Sequence, residues 1–335
     1  MRAVVLRELG EPEVLRLEEL PDPQPGPGEV LVRLEAAALN HRDVWIRKGL
    51  YAGIKVPVIL GADGAGEVVA VGEGVDNSFL GWRVVINPAL DWGKDPRVQG
   101  PNFRILGLPD DGTYAELVKV PATSVHAIPS GLSVEEAAAI PLAGLTAYRA
   151  LITRGQVAPD EKVLISGVGG GVATFALQLA RFNGARVFVT SGLDSKLDRA
   201  RDLGAEGGVN YKDPNWAADL KAMMDGGPDL IIDSAGGAGL DQLIDLAAPG
   251  GRLVSYGATL GAVPNLQMRR IFWKQLTLMG STMGTDAEFA AMLKLFESGA
   301  IAPVVDQVFS LADAPEAHRR METAGQFGKI VLRIG

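Results

Sequence analysis

The apolar run Val163-Leu164-Ile165 leads into Ser166-Gly167-Val168-Gly169-Gly170-Gly171-Val172-Ala173, and strong helix formers follow as far as Ala180. Glycines between a strand and a helix start let the backbone approach an anion, and the helix's first N–H groups and positive end face it. The anion that suits such a loop is a dinucleotide pyrophosphate. Gly169 and Gly171 allow the close approach, while Ala173 stands where a small residue lets helix and strand pack tightly. The spacing Gly-x-Gly-x-x-Gly is not met, because Val172 stands three after Gly169 and Thr174 three after Gly171. A ligand-free turn is therefore the alternative, and the surrounding strand–helix–strand order carries the cofactor reading.

Cofactor choice turns on the end of the next strand, Thr190-Ser191-Gly192, where a carboxylate would bind the ribose hydroxyls of NAD. With no carboxylate there, a 2′-phosphate escapes a repulsion of about 4 kcal/mol per close charge pair. Lys196 and Tyr211 offer donors to it. Asp194 is assigned to the N-cap of the following helix, and Lys196 is either a phosphate ligand or a solvated helix charge. The pattern favours NADP(H) over NAD(H).

These residues need a doubly wound sheet to hold them. Strands are expected at 162–166, 186–190, 208–211, 230–234, 252–256 and 276–280, with helices between them. A helix over 286–298 ends at Gly299, a C-cap residue, and 304–309, 314–324 and 329–334 read as strand, helix and strand. The first third differs. Residues 29–38 alternate apolar with polar, and glycine and proline clusters at 21–28 and 61–74 supply bends, a pattern that suits a rolled, mainly antiparallel β domain. The expected division is 1–124 for that domain, 125–274 for the dinucleotide-binding domain and 275–335 for a segment that returns to complete the first.

With 335 residues, two cores are the expectation. The net charge of −8 argues against general binding to nucleic acid or an anionic membrane, which select for excess Lys and Arg. Charge interrupts the amino terminus before any long apolar run, so a cytoplasmic location is expected. The chain has no cysteine, which excludes disulfides and every zinc site that needs thiolate.

Over nearly its full length the sequence resembles the medium-chain dehydrogenase/reductase superfamily. The resemblance is carried by Gly26-Pro27-Gly28-Glu29-Val30, Leu39-Asn40-His41-Arg42-Asp43, Gly61-Ala62-Asp63-Gly64-Ala65-Gly66-Glu67, Ala143-Gly144-Leu145-Thr146-Ala147-Tyr148 and the stretch from Lys196-Leu197 to Leu203-Gly204-Ala205. It implies a GroES-like β domain, a Rossmann domain and an active site in the cleft. It also implies a homodimer, or a tetramer built from dimers, paired through the last Rossmann strand at 276–280. Thr146, Ser255-Tyr256-Gly257, Ser281-Thr282-Met283 and Lys329 match family positions near the cofactor.

Zinc-dependent members hold the metal with a Cys, a His-Glu pair and a later Cys or acid. Here Asn40 matches the first Cys, Ala62-Asp63 the pair, and Leu142 falls near the later ligand. The stretch 87–112, which resembles a rewritten structural-zinc lobe, has neither Cys nor His. No metal is therefore expected, and the resemblance shifts to the zinc-free quinone-oxidoreductase-like branch. Hydride then goes from NADPH to a quinone, enone or other activated carbonyl compound, with hydrogen-bond donors stabilising the oxygen that gains charge. Asn40 is the first candidate donor, with Arg42 or His41 assisting, and Asp43 and Asp63 organise the surroundings. Asn40 as a plain helix cap, His41 as a surface or core residue, a zinc-type alcohol or aldehyde dehydrogenase, and a catalytically silent NADP(H)-binding sensor are the alternatives.

Overall fold

In the computed structural model, which describes residues 1–335, the chain opens with strands β1 (Arg2–Leu6), β2 (Leu15–Glu19) and β3 (Glu29–Ala38). Helix α1 (His41–Arg47) follows, then β4 (Val58–Ile59), β5 (Asp63–Val71), β6 (Arg83–Ile86), β7 (Ala89–Leu90), β8 (Arg104–Ile105), β9 (Leu117–Pro121), β10 (Val125–Ala127) and α2 (Val134–Ala138). Helix α3 (Pro141–Tyr148) leads into β11 (Lys162–Ile165), α4 (Gly171–Phe182), β12 (Arg186–Ser191), α5 (Asp194–Asp202), β13 (Gly207–Asn210) and α6 (Trp216–Met223). Next come β14 (Leu230–Asp233), α7 (Gly239–Leu246), β15 (Arg252–Ser255), α8 (Met268–Lys274), β16 (Thr277–Gly280) and α9 (Asp286–Glu297), and the chain ends with β17 (Val305–Ser310), α10 (Ala314–Glu322) and β18 (Lys329–Arg333).

The chain divides into two units, Met1–Ala143 with Gly284–Gly335, and Gly144–Met283. Both boundaries lie later than the expected 124/125 and 274/275. The first unit continues past residue 124 because β10 pairs with β6 and the alanines of α2 pack on Ala36, Ala38 and Ala65. The second continues past residue 274 because β16 adds in parallel to β15.

In the first unit β3 is the organising strand. Its buried Val30, Val32 and Leu34 face the core, each contributing roughly 1.5–3 kcal/mol by burial, and it pairs with β5, β9 and β18. The sheet order is β10-β6-β5-β3-β18-β17, with β9 also on β3, and a second sheet runs β2-β1-β4. Gly66 makes the β3–β5 contact possible, since a Cβ there would lie 2.0 Å from the Arg33 carbonyl oxygen. Register then sets up the chemistry. Ala38 faces Asp63 on β5 and Val331 on β18, so Asp63 and Lys329 flank the point where β3 gives way to Asn40 and α1.

The second unit is a six-stranded parallel sheet in the order β13-β12-β11-β14-β15-β16, the doubly wound arrangement whose strand order reverses beside β11. The inner strands β11, β12, β14 and β15 read from sequence as apolar runs because parallel strands bury both faces; Leu164, Phe188, Ile231 and Leu253 share one core with Trp216 and Leu243.

Candidate functional site

At the carboxyl end of β11, Ser166 to Gly170 form the loop and Gly170 is the N-cap of α4. The loop is tied at its start: the Gly167 N–H donates to Thr190 Oγ1 (3.0 Å) and the Val168 N–H to the Thr190 carbonyl (2.7 Å). The first-turn N–H groups of α4, from Gly171 and Val172 on, lie at the helix's positive end, where an anion could be held. Gly169 has φ +137°, and a Cβ on it would lie 2.8 Å from Lys196 Nζ. The mostly buried Lys196 side chain therefore lies across the loop, instead of extending from α5 as a solvated charge.

Ser191 is buried, and the Tyr211 hydroxyl lies over Gly192, only 2.6 Å from where a Cβ would be. Asp194 is not the N-cap expected of it. Leu193 holds that position, and Asp194 begins α5 with its carboxylate accepting from Asn210 Nδ2 (2.8 Å). Ser191, Lys196 and Tyr211 thus gather at the rim of the loop and Asp194 is tied to Asn210.

Farther along the same sheet edge, Thr146 Oγ1 lies 3.9 Å from Met283 Sδ, and Ser255 Oγ donates to the Gly257 carbonyl (3.2 Å). The Ser281 N–H donates to the Ser255 carbonyl (2.9 Å), and the Ser281 hydroxyl is buried without a partner. Tyr256 and Thr282 are partly buried beside them. Sequence reasoning missed Asp233. Fully buried at the end of β14, it accepts from Ser166 Oγ and from the Gly236 N–H (3.0 Å), fixing the first residue of the loop from below. A lone acid closing the apolar run Leu230-Ile231-Ile232 was the available signal.

In the first unit, Asn40, Asp63 and Lys329 form one buried cluster. Lys329 Nζ donates to the Leu39 carbonyl (2.7 Å), Asn40 Oδ1 (2.7 Å) and Asp63 Oδ2 (2.8 Å). Asn40 Nδ2 donates to Asp63 Oδ2 (2.9 Å), and the Leu142 N–H to Asp63 Oδ1 (2.8 Å). A buried ion pair loses about 3–5 kcal/mol when one partner is removed, because the other is left uncompensated. Lys329, matched on resemblance to a cofactor-proximal position, is here committed to Asn40 and Asp63.

Asn40 is the N-cap of α1, as its alternative reading held, and the Asp43 carboxylate accepts from its backbone N–H (2.8 Å). Its amide, however, belongs to Asp63 and Lys329. Asp43 also accepts from the Tyr114 hydroxyl (3.0 Å), its second oxygen has no partner, and burial pushes its carboxyl up from the ordinary range. Arg42 is buried with its guanidinium donating to the Leu106 carbonyl (2.8 Å) and lying over the Tyr51 ring. His41 is exposed at the start of α1, its ring centroid 6.1 Å from that of Trp45. Tyr114 and Thr113, whose hydroxyl donates to the Asp63 carbonyl (2.7 Å), were not foreseen.

A family description of the alcohol dehydrogenase GroES-like domain matches residues 26–130, and one of zinc-binding dehydrogenase matches residues 171–298. The chain is similar to a zinc-type alcohol dehydrogenase-like protein of Leptosphaeria maculans, 36% identical over 341 residues, 96% of this chain and 94% of that one. It is also similar to an acryloyl-coenzyme A reductase of Sulfurisphaera tokodaii, 29% identical over 99% of this chain and 100% of that one. A crystal structure of an NAD-dependent alcohol dehydrogenase, 43% identical, superposes with a TM-score of 0.96, all of both chains covered. This chain belongs to the medium-chain dehydrogenase/reductase superfamily. As a member it is an NAD(P)H-dependent oxidoreductase with a GroES-like unit and a Rossmann unit.

The superfamily's zinc does not fit the residues present. Zinc is held by thiolate, imidazole and carboxylate, whereas Asn40 brings an amide and Asp63 has both oxygens engaged. The ammonium of Lys329 already occupies the carboxylate. The lobe over 87–112 likewise offers no zinc ligand set. It is held by Trp92, whose indole N–H donates to the Asp95 carbonyl (3.0 Å) and whose ring meets Phe103 edge-on, and by Arg104 between Asp91 and Asp110.

Proposed function

We propose that this protein is an NADPH-dependent reductase of quinones, enones or other activated carbonyl compounds that works without zinc, as in the quinone-oxidoreductase-like branch. The observation that carries this reading is the Asn40–Asp63–Lys329 cluster, in which an amide replaces the first thiolate ligand of the superfamily resemblance and the Lys329 ammonium takes up the Asp63 carboxylate. The relative described as an acryloyl-coenzyme A reductase, which acts on an activated double bond by its name, supports the substrate class.

A bound nicotinamide dinucleotide supplies the hydride. Gly169, Gly170, Gly171 and Val172 would hold its pyrophosphate, Ser166 and Gly167 shaping the turn through Asp233 and Thr190, and Thr146, Ser255 to Gly257 and Ser281 to Met283 are assigned to its nicotinamide end. Ser191, Lys196 and Tyr211 at the loop rim support the 2′-phosphate preference, with Asp194 turned to Asn210.

The protein must stabilise the oxygen that gains charge. Asn40 Nδ2 gives one hydrogen to Asp63 and has a second to offer a substrate oxygen. Removing one such preorganised donor costs about 10²–10³ in kcat. His41, exposed beside this position in sequence, relays the proton. Arg42 and Asp43 hold α1 and its flank in place.

The superfamily resemblance supports a homodimer, or a tetramer. Strand β16 ends its sheet with an open edge, and Phe272, Trp273 and Leu278 beside it are exposed, Trp273 to 78%. Titrating NADPH against NADH, then assaying a panel of quinones, enones and aldehydes, tests the function. Tighter NADPH binding with turnover of an activated carbonyl is expected; tight binding with no turnover across the panel would leave the silent sensor in its place.

A further inference from the structure

The geometry points to Lys329 as the positioning residue of the reductase site, an internal cation that fixes which way the Asn40 amide faces. This inference rests on the functional reading above.

An asparagine amide has a donor end and an acceptor end of nearly equal shape, so only its partners decide its orientation. Here the partners leave no choice. Lys329 Nζ, which can only donate, lies 2.7 Å from Oδ1, and the Asp63 carboxylate, which when ionised can only accept, lies 2.9 Å from Nδ2. Rotating the amide by half a turn would set N–H against ammonium and oxygen against carboxylate. The ammonium is held independently by the Leu39 carbonyl, and the carboxylate by the Leu142 N–H. Each bracket is thus anchored by a backbone group that does not involve the amide.

Burial assigns the roles. Asp63 is fully buried and Lys329 is 3% exposed, whereas Asn40 keeps 7% of its surface. Asn40 is the least buried member of the cluster, and its uncommitted N–H is the group assigned to a substrate oxygen. The ammonium does with a side chain what a bound metal does elsewhere: it neutralises the carboxylate and orders the ligand beside it. Its charge acts through Asn40, and it touches no substrate atom.

The test uses full-length protein with asparagine side chains labelled with ¹⁵N, the Asn40 amide signals being identified by their loss in Asn40→Ala. In Lys329→Ala those signals should move and broaden and kcat should fall about 100-fold, with NADPH affinity unchanged. Propylammonium, which replaces the deleted atoms, should restore both the signals and at least part of the rate, while tetramethylammonium, which has no N–H, should restore neither. Lys329→Met with Asp63→Asn removes both charges and guards against simple unfolding. That pair should recover thermal stability relative to Lys329→Met alone without recovering kcat.

Unchanged amide signals and kcat in Lys329→Ala, or recovery of kcat along with stability in the charge-neutral pair, would overturn the assignment. If wild-type protein reduces nothing in the panel while the amide signals respond as described, the reductase reading fails and the positioning role stands.

Discussion

His318 and Asp43 are buried ionisable residues whose burial works in opposite directions with pH. His318 is fully buried in α10, both ring nitrogens lack partners, and desolvation together with the Arg47 charge holds its pKa at about 3 instead of 6.5. A base with a lowered folded pKa leaves stability intact above 6.5 and removes it as pH falls towards 3, because the unfolded chain takes the proton first. Replacing His318 with Leu abolishes that term. Relative to wild type, urea melts should show the variant gaining about 2 kcal/mol at pH 5 over its difference at pH 8; an equal difference at both pH values would contradict the burial argument. Asp43, with its carboxyl raised by burial, is penalised as pH rises from the ordinary carboxylate range towards its folded value. For the amide, Asn40→Ala should lower kcat about 100-fold with NADPH affinity unchanged, read by steady-state kinetics and equilibrium titration. Asn40 and Asp63 were legible in the sequence because family motifs surround them. Tyr114 was not, since its partner Asp43 lies 71 positions earlier and no local pattern joins them.

At the scale of elements, the lobe between β6 and β9 shows which interaction holds a segment that has no metal. Arg104 lies between Asp91 and Asp110, yet all three side chains are substantially exposed, and exposed pairs contribute little. Trp92 is buried and packed on Phe103. Trp92→Ala should therefore cost about 3–5 kcal/mol and Arg104→Ala at most about 1 kcal/mol, both measured by denaturant unfolding. The reverse order would mean that the ion cluster is the staple. The Rossmann strands were readable to within a residue or two because β11, β12, β14 and β15 are apolar runs, and the spacing of the strand–helix repeat placed β13 and β16. By contrast, β7 and β8 have two residues apiece, too few to show any period, and α5 begins after Leu193 because Asp194 turns to Asn210 and gives up the cap.

For the whole molecule, the discontinuous first unit was legible as a tail that returns to strand, helix and strand, and β18 does pair with β3. Its limits were not, because β10 and α2 join the first unit through contacts with residues far back in the chain. No helix is long and apolar enough to cross a membrane. The exposed Phe272 and Trp273 of α8, next to the open edge of β16, belong to this scale. Trp273→Glu should convert a dimer to a monomer in light scattering, and a wild-type monomer would contradict the proposed pairing.

The proposed function is reduction driven by NADPH without zinc, at a site where Asn40, Asp63 and Lys329 bind one another. Its most direct test is to quantify zinc in the purified protein and, on the same preparation, follow NADPH oxidation by an enone or quinone before and after treatment with 1,10-phenanthroline. The account predicts no stoichiometric zinc and an unchanged rate; stoichiometric zinc whose removal abolishes turnover, and whose return restores it, would contradict it.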